Sequence, residues 1–200
     1  MEYAAIVIAA GLSSRMGYFK PLLDIGGKPA LTRLLDSIST AGLSRTCVVT
    51  GHGHETVEAA LPPGCIAVYN ADYENGMFSS IQAGIEKATE TDAALLFPVD
   101  VPLVAPETIK GLVAEWEKGD VSRFAVPEFE GKNGHPLLIP RAYFGAILDY
   151  TGEGGLKEIR NRYISEMLRY ETNDRGCVLD MDTPEDYNQL LSYYGGLTNE

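Results

Sequence analysis

The residues best suited to chemistry come early in the chain, in the stretch 4–21 with the sequence AAIVIAAGLSSRMGYFKP. A short apolar run, residues 4–10, leads directly into a turn of small residues, 11–14. A buried strand that opens into a glycine- and serine-containing loop presents backbone N–H groups to phosphate. Arg15 and Lys20 follow the turn, and their cations would neutralise charge that backbone dipoles alone do not meet. This stretch therefore predicts a loop that binds a polyphosphate.

A second candidate is Asp100, within the segment PVDVP at 98–102. It follows an apolar run that reads as a strand, so it would lie at the carboxyl end of a sheet, where doubly wound folds bind their ligands. A carboxylate in that position can hold Mg²⁺ against nucleotide phosphates. The alternative is that Asp100 only caps a turn before Pro102.

The elements that must position these residues alternate between strand and helix. Apolar runs at 4–10, 47–50, 66–69 and 93–97 are separated by helical patterns at 30–41, 56–61, 78–88 and 106–118. Strands that are almost wholly apolar are typical of a parallel sheet covered on both faces. We therefore expect an α/β fold, a doubly wound, mostly parallel sheet with helices on both faces.

The pattern loosens after about residue 121. Strands are expected at 124–127, 136–139 and 167–170, and helices at 141–148, 156–161 and 184–194, the last with Asp182 or Thr183 as its cap. We expect a single domain over residues 1–200. Residues 1 to about 120 would form its nucleotide-binding half, and residues from about 121 to 200 would form a platform for a second substrate.

The glycines argue against two common nucleotide-binding loops. Neither the G-x-G-x-x-G fingerprint nor the Walker pattern G-x-x-x-x-G-K-[ST] occurs. Gly26-Gly27-Lys28 is followed by Pro29 where a hydroxyl would be needed, which favours a turn before a helix. A dinucleotide-dependent dehydrogenase is excluded on the same ground.

Composition limits the partners and the compartment. The net charge of −12 argues against nucleic acid and against an anionic membrane. The three cysteines are far apart and lack paired metal spacing, as expected for reduced thiols in a cytosolic protein. The start Met1-Glu2 shows no signal peptide, and no apolar run approaches the roughly 20 residues of a membrane span. We expect a cytoplasmic protein.

The phosphate loop also carries a resemblance. Its pattern, Ala9-Ala10-Gly11-x-x-Ser14-Arg15-Met16-Gly17-x-x-Lys20, resembles the signature loop of the MobA-like nucleotidyltransferase superfamily. Within that superfamily the chain is most similar to the molybdenum cofactor cytidylyltransferases, because relatives that use GTP tend to carry a second glycine where Ala10 stands. Later segments resemble the family's motifs in the family's order.

The resemblance implies roles in nucleotide binding and catalysis. In the segment that starts at Asn70, Gly76 would permit close approach of the base and Ser80 would hydrogen-bond to it, although Tyr73 stands where the family often has Trp. The implied nucleotide-binding residues are Ala9, Ala10, Gly11, Ser14, Arg15, Lys20, Gly76 and Ser80. The implied catalytic residues are Arg15, Lys20 and Asp100.

A metal site is implied by the acidic segment 180–186, DMDTPED, which resembles the family's C-terminal motif. There an aspartate would complete the site with Asp100, and Mg²⁺ or alternatively Mn²⁺ would be the ion. Alternate residues of an extended segment face opposite ways, so we expect Asp182 rather than Asp180 to be the ligand. The competing interpretation is a helix start with acids near its positive end.

An acceptor site is implied by two further motifs. Gly134-His135-Pro136 resembles a family motif on the pterin side of the cleft, which assigns His135 to the acceptor. The loop 151–155, with Gly154 and Gly155, resembles the family's second glycine-rich loop. A structural histidine and a flexible surface loop are the alternatives.

The implied reaction is transfer of CMP from CTP to the terminal phosphate of molybdopterin, with release of pyrophosphate. The partners would be CTP and a molybdopterin-type cofactor, with transient contact to a molybdoenzyme or its chaperone. Three alternatives stay open: a guanylyltransferase that uses GTP on the same cofactor, a sugar-1-phosphate nucleotidyltransferase, and a nucleotide-binding module without turnover.

Overall fold

A mixed, mostly parallel sheet forms the centre of the molecule in the computed structural model, which describes residues 1–12, 16–162 and 167–198. The strands, numbered along the chain, are β1 (Tyr3–Ala9), β2 (Asp24–Ile25), β3 (Lys28–Pro29), β4 (Arg45–Thr50), β5 (Ile66–Tyr69), β6 (Ala93–Pro98), β7 (Ala125–Phe129), β8 (Lys132–Asn133), β9 (Leu137–Pro140) and β10 (Leu168–Glu171). The helices are α1 (Ala30–Thr40), α2 (His54–Ala59), α3 (Met77–Lys87), α4 (Pro106–Lys118), α5 (Phe144–Leu148), α6 (Gly155–Arg162) and α7 (Pro184–Leu197).

The strand order in the sheet is β10-β7-β9-β6-β1-β4-β5, and β8 adds a short hairpin to β7. The pairs β1–β4, β1–β6, β4–β5 and β7–β10 are parallel, whereas β9 runs antiparallel to both of its neighbours. The predicted fold class, an α/β sheet that is mostly parallel and covered on both faces, is confirmed. The strands of the second half of the chain extend the sheet begun by the first half.

Burial on both faces explains why the central strands are apolar throughout. Along β1, Ala5 and Val7 point to one face of the sheet, and Ile6 and Ile8 point to the other. Helices α1 and α4 cover the first face, and α3, α5 and α6 cover the second. Helix α3 lies so close to β1 that a Cβ at Gly84 would lie 2.3 Å from a methyl carbon of Ile6.

A third, smaller cluster joins the two ends of the chain. The hairpin β2–β3 and helix α7 meet around Ile25, Met181 and Leu190, all of which are buried. Helix α7 begins with a capping box: Thr183 Oγ1 accepts from Asp186 N at 3.2 Å, and Asp186 Oδ2 accepts from Thr183 N at 2.9 Å. Of the two caps expected, Thr183 is the one observed.

The helices of the described residues include none that is both long and apolar enough to cross a membrane.

Candidate nucleotide site

A cavity of about 280 Å³, the candidate nucleotide cavity, opens at the carboxyl edge of β1 and β6. The predicted site residues that line it are Ala9, Ala10, Gly11, Lys20, Gly76, Ser80 and Asp100. Ser14 and Arg15, also predicted, lie outside the described residues. The structure thus brings together residues from three separate stretches of the sequence, and each remains a predicted site residue.

The parallel register of the sheet brings these stretches together. Ile8 is paired with Pro98 across β1 and β6, and Val99 N donates to Ile8 O at 3.1 Å. The loops that follow the two strands therefore start side by side. Gly76, at the entrance to α3, has a φ of +100°, which favours glycine, and it directs the first turn of α3 to the same cavity.

Lys20 lies between two carboxylates. Its Nζ is 2.5 Å from Asp182 Oδ1 and 3.3 Å from Asp100 Oδ2, and the Lys20 side chain is only 12% exposed. Burial lowers the pKa of Lys20, but the hydrogen bond to Asp182 and the negative charges of Asp100 and Asp182 outweigh it, so the pKa is raised overall. The ammonium therefore stays charged at neutral pH and holds the two acids together.

These two carboxylates fit a divalent cation. Asp100 Oδ2 and Asp182 Oδ1 both contact the same cationic nitrogen, Lys20 Nζ. Carboxylate oxygens of this kind are the hard ligands that Mg²⁺ and Mn²⁺ prefer. In the described ranges no group of three or more His, Cys, Asp or Glu could hold a metal. A pair of carboxylates is what Mg²⁺ uses when substrate phosphates and water complete its coordination.

Asp180 occupies a different environment from Asp182. It lines a separate cavity of about 370 Å³ together with Lys132 and Arg175. Desolvation raises the pKa of Asp180, and the charges of Asp182 and Asp100 raise it further. Asp182 is thus the acid that contacts Lys20, and its role as a metal ligand stays a prediction.

The residues predicted to bind the acceptor are divided between two places. Gly154 and Gly155 line a cavity of about 830 Å³ at the start of α6, which shares Gly76 and Met77 with the nucleotide cavity. His135 comes two residues before Leu137, which pairs with Leu96, so it lies at the same sheet edge as Asp100. Its backbone N donates to Cys177 O at 2.8 Å, and His135 is not among the described residues that line either cavity.

Sequence reasoning missed an aromatic group beside the nucleotide cavity. The ring of His52 lies 6.0 Å from that of Phe19 and 6.5 Å from that of Tyr73, which lines the cavity. A Cβ at Gly51 would lie 2.6 Å from Tyr73 Cβ, and one at Gly53 would lie 2.9 Å from the ring of Phe19. The Gly51-x-Gly53 spacing was the available signal for this close packing.

Comparison with known proteins identifies the class. The sequence profile described as the MobA-like NTP transferase domain matches residues 5–167. The chain therefore belongs to this family, and the superfamily expected from the phosphate loop is confirmed.

Two relatives of known sequence align with different shares of this chain. The molybdenum cofactor cytidylyltransferase of Escherichia coli strain K12 is 26% identical over 185 residues, which cover 91% of this chain and 92% of that protein. The bifunctional protein GlmU of Azoarcus sp. strain BH72 is 34% identical over 111 residues, 54% of this chain. That match spans 25% of the GlmU chain.

Solved structures share the fold. The Rv0371c protein of Mycobacterium tuberculosis H37Rv is 25% identical, with a TM-score of 0.80 over 96% of this chain and 98% of that one. A structure of Rv0371c in complex with manganese aligns with a TM-score of 0.78 at 24% identity, over 96% of this chain and 99% of that one.

Proposed function

We propose that the protein transfers CMP from CTP to the terminal phosphate of a molybdopterin-type acceptor and releases pyrophosphate, in a reaction that depends on Mg²⁺ or Mn²⁺. The observation that carries the proposal is the cavity in which the loop after β1, Lys20, Ser80 and Asp100 meet. The relative from Escherichia coli, a molybdenum cofactor cytidylyltransferase that aligns over 91% of this chain, supports the choice of nucleotide and acceptor.

The geometry suits in-line nucleotidyl transfer. An oxygen of the acceptor phosphate attacks the α-phosphorus of CTP, a new phosphorus–oxygen bond forms, and the bond to pyrophosphate breaks. Positioning and charge neutralisation carry most of the catalysis in such reactions. A phosphate nucleophile is already ionised at neutral pH, so the site needs no general base.

Asp100 and Asp182 would hold the divalent ion, which supplies charge neutralisation at the phosphates when it is bound. The manganese complex of Rv0371c supports a divalent ion in this fold. Lys20 must then exchange its contact with the two acids for a contact with the triphosphate. Arg15 would add a second cation for the leaving pyrophosphate.

The other proposed features follow from this reaction. His135, Gly154 and Gly155 would contact the acceptor, and residues 121–200 would form most of that side of the cleft. The reaction would take place in the cytoplasm, where the free thiols of Cys47, Cys65 and Cys177 stay reduced. The finished product would pass to a molybdoenzyme or its chaperone in a transient contact.

Thermal unfolding with CTP, GTP, UTP and ATP, each with Mg²⁺ and with chelator, tests the nucleotide. A ligand at a hundredfold excess over its Kd stabilises by about 2.7 kcal/mol, which for a domain of this size raises Tm by roughly 5–10 °C. A magnesium-dependent shift that is largest for CTP supports the proposal. A larger shift with GTP or UTP would favour the guanylyltransferase or the sugar-1-phosphate enzyme, and a shift that needs neither metal nor Asp100 would favour a binding module.

Substitution of the site residues tests the chemistry. We expect Lys20→Ala and Asp100→Ala to remove most pyrophosphate release with a molybdopterin acceptor while the far-ultraviolet circular dichroism spectrum is retained. Lys28→Ala is the matched control, because Lys28 is 55% exposed and pairs with Asp36 away from the cavity. Near-normal turnover in either site variant would contradict the assignment.

A further inference from the structure

Asn70 and Ser80 are two buried polar residues joined by a hydrogen bond at the nucleotide cavity. Asn70 is 7% exposed and Ser80 is 2% exposed, and Ser80 lines the cavity. Asn70 follows β5, and its backbone N donates to Thr50 O at 2.9 Å, which fixes its main chain to the sheet. Buried polar groups of this kind are normally hydrogen-bonded, so the direction of each bond can be worked out.

The orientation of the Asn70 amide is determined by Asp72. The backbone N of Asp72 lies 3.0 Å from Asn70 Oδ1, and a backbone N–H can only donate, so the atom that faces it must be the oxygen. Asn70 Nδ2 is then the atom 2.9 Å from Ser79 Oγ and 2.9 Å from Ser80 Oγ. The amide therefore donates one N–H to each of the two hydroxyls.

The two serine hydroxyls differ in what they do with their own protons. Ser79 Oγ lies 3.0 Å from Asp72 O and 2.9 Å from Gly76 O, so its proton is directed to a backbone carbonyl. Ser80 Oγ accepts from Asn70, and no acceptor for its proton lies in hydrogen-bond contact within residues 1–12, 16–162 and 167–198. The contact with Asn70 thus occupies one lone pair of Ser80 Oγ and leaves the Ser80 proton available to a ligand at the wall of the cavity.

We propose that Asn70 is a positioning residue for base selection: it fixes the Ser80 hydroxyl as a hydrogen-bond donor, and this donor selects cytosine over uracil. Cytosine presents an unprotonated ring nitrogen at N3, which accepts a hydrogen bond, whereas uracil presents N3–H, which donates. If uracil N3–H donated to the remaining lone pair of Ser80 Oγ, the Ser80 proton would turn away from the base and lose its acceptor, and a buried polar group left unpaired costs binding free energy. The inference rests on the proposed function, because it takes CTP as the occupant of this cavity.

The Asn70→Asp substitution reverses the polarity at nearly constant size. A carboxylate at position 70 still accepts from the backbone N of Asp72, but it can no longer donate to Ser80. The Ser80 proton then turns to the carboxylate, and the hydroxyl presents a lone pair to the cavity. We expect the ratio of the Kd for UTP to that for CTP, measured by calorimetry with Mg²⁺ on the full chain, to fall about tenfold or more.

Two further variants isolate the effect. Ser79→Ala removes the other hydroxyl that contacts the same amide, and we expect it to leave the UTP-to-CTP ratio within about twofold of the unsubstituted protein. Ser80→Ala should lower the ratio by itself, and adding Asn70→Asp to it should change the ratio no further. Because alanine is well suited to a helix such as α3, Ser79→Ala and Ser80→Ala stay informative even where Asn70→Asp folds poorly.

Each outcome bears on a defined claim. If the unsubstituted protein binds no nucleotide, the proposed function fails and the inference fails with it. If it binds CTP and UTP equally, or if Asn70→Asp or Ser80→Ala leaves the ratio unchanged, the inference alone is overturned. Equal weakening of both nucleotides by Asn70→Asp would show a merely structural role and would also overturn it.

Discussion

The contact between Lys20 and Asp182 should be a measurable source of stability in the ligand-free protein. Their charged atoms are 2.5 Å apart, and the two side chains are 12% and 41% exposed. We expect a double-mutant cycle with Lys20→Met and Asp182→Asn to give a favourable coupling free energy. Both substitutions nearly keep side-chain volume, so the cycle isolates the charge interaction.

The magnitude follows from the partial burial of the pair. Exposed ion pairs contribute about 0.2–1 kcal/mol, whereas removing one partner of a fully buried pair costs about 3–5 kcal/mol. A pair with one buried and one half-exposed member lies between these limits, so we expect a coupling of about 1–2 kcal/mol. The pKa of Lys20 is raised above its ordinary value of 10.5, so this contribution is complete at neutral pH and is lost as the pH rises through the raised value.

The assay is urea unfolding at pH 7.5 with chelator present, and the control is a second ion pair in the same chain. Lys28 Nζ and Asp36 Oδ2 are 2.7 Å apart, but their side chains are 55% and 54% exposed. We expect the cycle with Lys28→Met and Asp36→Asn to give about 0.5 kcal/mol or less. A Lys20–Asp182 coupling no larger than that of the control pair would refute the reasoning from burial.

Two other predictions concern packing and thiol chemistry. Gly84→Ala should lower the free energy of unfolding by about 1–3 kcal/mol, because its Cβ would lie 2.3 Å from a β1 methyl carbon. Gly145→Ala, a helical control with nothing within 4 Å of its Cβ, should be neutral or slightly stabilising in the same urea titration. In a titration with an aromatic disulfide reagent at pH 8, Cys65 should react first, and more slowly than free cysteine, because burial raises its pKa. Cys47 and Cys177, whose pKa values burial raises to about 12, should react only after unfolding, and rapid labelling of either would contradict their burial.

The first half of the chain was predictable because local signals and the fold agree there. The strand at 66–69 and the helix at 106–118 have the predicted bounds. The other helices and strands predicted before residue 118 have observed ends that differ from the predicted ends by no more than two residues. Short apolar runs that end at glycine or proline leave few assignments other than a buried strand in such a sheet. The position of Asp100 at the carboxyl edge of the sheet followed from the same reasoning, since Asp100 comes two residues after the buried strand β6.

The second half was harder because its elements are short and depend on their neighbours. The short strand β8, which forms a hairpin with β7, was not among the predicted elements. The direction of β9 could not be read from its four apolar residues, since an antiparallel strand there looks the same as a parallel one. That direction matters, because it brings His135 to the edge of the sheet where Asp100 lies.

The hydrogen-bond network around Asn70 shows a different limit of sequence reasoning. Asn70 and Ser80 belong to one segment that resembles a family motif, and Ser80 was expected to hydrogen-bond to the base. Which group donates and which accepts depends on Asp72 N, a main-chain atom that no residue type reveals. Side-chain identity therefore predicted the place of the contact and left its polarity undetermined.

The charged centre of the site depends on apolar contacts far from it in the sequence. Lys20 and Asp182 are separated by 162 residues, and they meet because α7 packs against the hairpin β2–β3. Met181, next to Asp182, is fully buried in that packing, and its backbone N donates to Asp100 O at 3.0 Å. The Tyr187 hydroxyl donates to the carbonyl of the first hairpin residue. A chain that kept every charged motif but lost this small cluster would keep Asp100 at the sheet edge and lose the means to hold Asp182 beside Lys20.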